Sequence, residues 1–138
     1  MTGRLLVTLG VLVYAVVVPM LEINDTHVFN PEWPAHARLH EVWQLATNSA
    51  IGALSLWMVW IRREVILPSI LGLLVMGGFL LAYYLQDGYG GSMQLAADRA
   101  ERTLLGVNIG VVGGWLVVVT SVGALARRRR SRPISASA

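Results

Sequence analysis

LATNSAIGALSLWMVWI (45–61), RRE (62–64) and VILPSILGLLVMGGFLLAYYL (65–85) are two apolar runs joined by a short charged hinge. Each run is close to the roughly 20 residues that a helix needs to cross a bilayer. Neither carries the polar face expected of a helix lying on a water-soluble core. A link this short makes the two helices antiparallel neighbours. Pro68 falls where the second helix opens, a position that needs no backbone N–H.

Working outward, Leu5–Leu21 and Leu104–Ala126 are runs of the same kind. The chain has 138 residues, 55% hydrophobic and 14% charged, too few charges to clothe a soluble domain of this size. The expected fold is therefore all-α, an integral membrane four-helix bundle. One transmembrane domain covers 1–126, with spans at about 5–21, 45–61, 65–85 and 104–126, and 127–138 forms a basic, disordered tail. The first span has only Arg4 before it and no small-residue cleavage site after it, so it reads as a retained anchor.

The charges sort themselves by side. Arg4, Arg62, Arg63, Arg127 to Arg130 and Arg132 share alternate polar segments with Glu64, whereas Arg38, Arg99 and Arg102 lie with the other seven acids. Arginine-rich loops stay in the cytoplasm, which puts both termini there and makes this a multi-pass cell-membrane protein. The basic run after the last span anchors it against anionic headgroups of membrane lipids, and a nucleic-acid partner is not expected. Arginine supplies every basic charge apart from histidine, a composition that suits a GC-rich bacterial genome. Cysteine is absent, which excludes a thiolate nucleophile, a disulfide and any cysteine-ligated metal.

Between the first two spans, Pro31 and Pro34 rule out a helix, and a new one starts at Pro34 and runs through to Ile61. Trp33 and Trp43 suit the outer interface, Trp57 and Trp60 the inner one. Ser92 is a candidate cap for a helix feeding the fourth span. Gly106, Gly110 and Gly114, spaced by four, form a seam for close helix approach, either to another span or to a second copy in a homo-oligomer. Ala46, Ala50, Ala53, Ser49 and Gly52 make a similar small surface on span two.

All three histidines lie on the outer side, at His27, His36 and His40. His36 and His40 share a helix face, which continues through Trp43, Gln44 and Thr47 into the membrane. Gln94, Asp98, Glu101 and Asn108 fall on one stripe leading into span four. Asp25, Glu41, Gln86 and Asp87 emerge at the same level. Polar side chains at membrane depth face a bundle interior or a wet cavity, so a His/carboxylate cup is expected at the outer end.

Four readings of the cup stand side by side. His36 and His40, completed by His27 or a carboxylate, could hold a divalent metal. A histidine and a carboxylate could move protons without one. The cup could bind a headgroup or partner protein, as an accessory or ligand-binding module. Finally, the histidines could simply anchor helix ends. No phosphate-binding loop, nucleophile elbow or nucleotide fingerprint is present.

The segment Asn30-Pro-Glu-Trp-Pro-Ala-His-Ala-Arg-Leu-His40, with Asp25 and His27 just before it, resembles the signature of a family of small four-span membrane proteins without an assigned function. The resemblance implies the four-span layout and carries no reaction. A broader likeness to the sterol-isomerase type of bundle rests on helix count and an acid-lined cavity. The leading expectation is a small membrane enzyme transferring protons, in an isomerisation or cyclisation, on a hydrophobic, lipid-like small molecule. His36 and His40 would be acid and base, and Glu41, Asp25 or Glu101 their orienting partners. His27, Trp43, Gln44, Thr47, Gln86, Asp98 and Asn108 would line the substrate site.

Overall fold

Pro19 shapes the first helix. The computed structural model describes residues 1–93 and 103–130. In it α1 spans Thr2–Glu22 and contains a π-helical turn at Val13–Val17. Proline lacks an N–H and its ring crowds the carbonyl four residues back, which is Ala15. That carbonyl instead accepts the Ser49 hydroxyl from the next helix, at 3.2 Å. A backbone group freed inside an apolar layer is thus satisfied by a neighbouring helix.

Helix α2 runs Ala35–Trp60 with Pro34 as its N-cap, within a residue of the expected bounds. Its C-terminal carbonyls at Trp57 and Met58 accept from Arg62 and Glu64, while Arg63 takes a left-handed φ of 55°. Glu64 then turns its carboxylate onto the Val65 and Ile66 N–H groups, at 2.9 and 2.6 Å, capping α3 (Ile66–Leu85). Pro68 sits buried in the first turn of α3, and a 3₁₀ turn at Gln86–Tyr89 follows the helix. The last helix, α4, runs Ile109–Arg130.

Two sequence expectations fail here. The fourth helix does not begin at 104. Thr103–Leu104 (β1) and Val107–Asn108 (β2) form a two-stranded antiparallel hairpin whose turn residues, Leu105 and Gly106, have φ of 53° and 80°. That left-handed pair makes a tight hairpin turn and cannot continue a right-handed helix. The basic run expected in a disordered tail is helical through Arg130; residues 131–138 lie outside the described residues. The helix expected to start at Ser92 falls on 94–102, which also lie outside them.

The four helices run up, down, up, down. Gly10 meets Val117 and Thr120, Gly72 meets Val117 and Ser121, and Gly52 meets Ala15. Helix α4 touches α1 and α3 most extensively, and α2 leans mainly on the π turn of α1. Val7, Val11, Tyr14, Val59, Met76 and Val117 form the core. Gly110 packs against Phe79, and Gly114 against Leu80, so those two glycines allow close approach of α3 within the chain. Gly106 belongs to the hairpin turn. On α2, Ser49 and Gly52 face α1, but Ala46, Ala50 and Ala53 are exposed.

Among the described residues, three helical segments are long and apolar enough to cross a membrane: Thr2–Glu22, Ile66–Tyr89 and Ile109–Arg129. Their outward surfaces are hydrophobic, as at Leu9, Leu74, Leu81 and Val119. Arg4 lies over Trp60, whose indole N–H donates to Thr8 at 3.1 Å, and Arg62 lies over Trp57. One end of the bundle therefore gathers arginine and tryptophan. The other gathers histidine and carboxylate.

Candidate functional site

The segment from Ile23 to Pro34 folds back on itself. Asn24 donates from Nδ2 to the Leu21 carbonyl at 2.5 Å and accepts the Thr26 N–H on Oδ1 at 2.7 Å, which fixes the orientation of its amide. Asn30, buried to 7% exposure, donates to the Thr26 carbonyl and accepts the Glu32 N–H. This internal bonding is why the Asn-Pro-x-Trp-Pro segment holds a fixed shape without regular structure.

That shape aims His27 at the end of α1. Its Nε2 lies 3.0 Å from Glu22 Oε2, its Nδ1 lies 2.7 Å from Thr26 Oγ1, and Trp33 meets the ring edge-on at 5.3 Å. Asn24 Oδ1 can only accept, so Thr26 donates its hydroxyl proton there and is left to accept from His27 Nδ1–H. On the other side of the ring, His27 Nε2 faces the Glu22 carboxylate. Both partners are about three-quarters buried.

Glu41 joins from α2. Glu41, Leu45, Asn48, Gly52, Ser55 and Val59 recur at steps of four and three, and this stripe carries the buried residues of the helix. At its top Glu41 is half-buried. Burial pushes its carboxyl above the ordinary 4.5, and the neighbouring Glu22 charge pushes it the same way; His27 pulls it partly back. Loss of water and a like charge both favour the neutral acid.

These groups surround a chamber of about 340 Å³ at the His/carboxylate end of the bundle. Glu22, His27, Asn30, Glu41 and Asn48 supply its polar side. Val18, Leu21, Val75, Met76 and Phe79 supply its apolar side. Tyr14, in the π turn, also lines it, with its hydroxyl 3.4 Å from Ser55 Oγ. Asn108 borders the chamber and accepts the Gly110 N–H at 2.8 Å, so it is an N-cap rather than a member of a helical stripe.

Of the residues singled out from sequence, His27, Glu41, Gln44 and Asn108 line the chamber. His36 and His40 do not. They sit on the exposed face of α2, Nε2 to Nε2 at 3.0 Å, with Trp43 beside His40 and Thr47 equally exposed. The helical phase explains this: positions 36 and 40 lie well round the helix from the buried stripe. Asp25 is exposed in the loop and does not border the chamber, and Gln86 borders an adjoining space. Gln94, Asp98 and Glu101 fall outside the described residues.

The three-histidine metal set does not assemble. His27 is engaged by Glu22 and Thr26 while His36 and His40 face each other, and among the described residues no three His, Cys, Asp or Glu side chains converge to hold an ion. Sequence reasoning missed Glu22, Thr26, Asn30, Tyr14 and Asn48 as site residues. Extending the Val59–Ser55–Gly52 stripe up α2 would have found Asn48, and Pro19 four residues after Ala15 marks the disturbed turn that carries Tyr14. No family model, curated protein or solved structure matches the chain, so only its own geometry bears on function.

Proposed function

We propose that this chain is a four-span integral membrane protein whose outward-facing chamber transfers protons on a hydrophobic, lipid-like substrate, as in a double-bond isomerisation. The observation that carries the reading is a carboxyl that burial and a like charge push upward, beside an imidazole–carboxylate pair, within one half-apolar chamber. Surroundings that oppose the charge of a carboxyl suit it to the role of general acid. Glu41 would give its proton to one alkene carbon, and the His27–Glu22 pair would take one from the allylic carbon. The double bond shifts, and a proton passed from the pair back to Glu41 restores the site. Thr26 and Asn30 hold the pair in place, and Asn48 and Gln44 are within reach of a polar substrate group. His36 and His40, expected as the acid and base, have no part in this mechanism.

In this reading α2 is the fourth span and the arginine-rich end, with both termini, faces the cytoplasm. The rule that cytoplasmic ends carry the arginines supports that orientation.

The test works on a mixture of lipids, with the substrate still unidentified. Protein reconstituted with a total lipid extract in deuterium oxide should place deuterium at carbon in a lipid, seen as a one-unit mass shift. Glu41→Gln or His27→Gln should slow uptake by about 10²–10⁴-fold, the usual worth of a general acid or base. His36→Ala and His40→Ala should leave it unchanged. If the wild type labels no lipid, the catalytic reading fails and a ligand-binding role takes its place.

A further inference from the structure

We infer that the chamber opens sideways between α2 and α3 and takes a single-chain amphiphile with a neutral head, its tail lying in that opening. The inference rests on the membrane placement proposed above and names the substrate class of the same site. A second space of about 410 Å³ adjoins the first and shares Gln44, Asn48, Val75 and Phe79 with it. Its remaining wall on α3 is Gly78, Ala82 and Tyr83, small at the first two. Helices α2 and α3 are sequence neighbours, yet they touch far less than α3 and α4 do. They are joined by the turn at 61–65, and the second space between them is bordered by the exposed Gln44, Gly78 and Ala82.

Size and charge select the occupant. Each space lies in the lower part of the roughly 300–1,000 Å³ range of small-molecule sites, which suits one chain better than two. The head must rest beside Glu22, whose negative charge repels a phosphate or a free fatty acid as it opposes that of Glu41. The Asn30 and Asn48 amides offer donors and acceptors suited to a hydroxyl or an ester carbonyl. Tyr83 and Gln86, at the outer rim of the gap, are also suited to hydrogen-bond such a head as it passes.

Two adjacent glycines make the test. A Cβ at either Gly77 or Gly78 meets nothing within 4 Å, so both positions accept a side chain without disturbing packing. Gly78 borders the second space, however, and Gly77 does not. Protein in lipid nanodiscs is exposed to a photoactivatable monoacylglycerol and, separately, to the matching fatty acid. Crosslinked peptides are then mapped by mass spectrometry, with thermal melts to confirm folding. Monoacylglycerol should label residues 44–48 and 75–82 in the wild type and in Gly77→Leu. Labelling should fall about tenfold in Gly78→Leu, as expected when a site is overfilled, and likewise in Ala82→Trp.

Labelling that both filled variants leave unchanged overturns the doorway, even if deuterium uptake persists. Stronger labelling by the fatty acid overturns the neutral head. Labelling that the filled variants abolish upholds the inference, even where the wild type takes up no deuterium and only the catalytic reading is lost.

Discussion

Glu41 is the residue whose behaviour is most constrained by its surroundings. Its folded-state carboxyl binds a proton more tightly than the same group in the unfolded chain, because burial and Glu22 both oppose its charge. A raised acid of this kind contributes stability while it stays protonated and loses it as pH rises through its folded value. The melting temperature of the purified protein should therefore fall as pH climbs from the ordinary carboxylate range, near 4.5, toward neutrality. Glu41→Gln should flatten that slope, since the amide keeps the shape and cannot ionise. A slope unchanged in the variant would mean that Glu41 is charged in the folded protein. That Glu41 lies among the polar groups at that end of the bundle was legible in the sequence; its phase on the helix was hidden behind the histidines. Counting from His36 in steps of four, three and four gives His40, Trp43 and Thr47, all exposed, whereas counting back from Val59 gives Asn48 and Glu41. Buried positions, not the histidines, set the register.

At the scale of helices, small residues decide who touches whom. A Cβ on Gly52 would overlap Ala15 Cβ, so even alanine forces α1 and α2 apart at the π turn. Gly52→Ala should cost about 1–3 kcal/mol, as overfilling a well-packed contact does. Gly77→Ala, with open space around it, should be neutral or slightly stabilising through helix propensity. Paired unfolding curves in detergent and denaturant would separate the two; equal stabilities would mean that the α1–α2 contact is looser than described. Element boundaries read well from sequence wherever proline or charge punctuates an apolar run, as at Pro34, Arg62–Glu64 and Leu85. They read poorly at 104, because Leu104, Leu105 and Val107 are apolar enough to belong to a span. There the left-handed pair at Leu105 and Gly106 overrides hydropathy. The same turn removed Gly106 from a seam that, for Gly110 and Gly114, does mark close helix approach.

For the molecule as a whole, α2 is the helix on which the membrane arrangement turns. Its first ten residues include His36, Arg38, His40 and Glu41, and the apolar run expected from sequence covers only 45–60 of the helix, about 24 Å at 1.5 Å per residue. That is short of the roughly 30 Å hydrocarbon layer. In the proposed fourth span, two features would make up the difference. Glu41 is favoured in its neutral form, which lowers the cost of holding it near the apolar layer. Trp43 is exposed at the level where amphipathic rings favour the interface. With no cysteine in the chain, single reporters test this directly. Glu32→Cys lies beyond one end of α2 and Arg62→Cys beyond the other, and both native side chains are exposed. In intact cells a membrane-impermeant maleimide should label Glu32→Cys at once and Arg62→Cys only after permeabilisation. Labelling of both from outside would lay α2 along the surface and leave three spans. The opposite pattern would turn the chamber to the cytoplasm, and with it the side from which a polar head could reach Glu41 and His27.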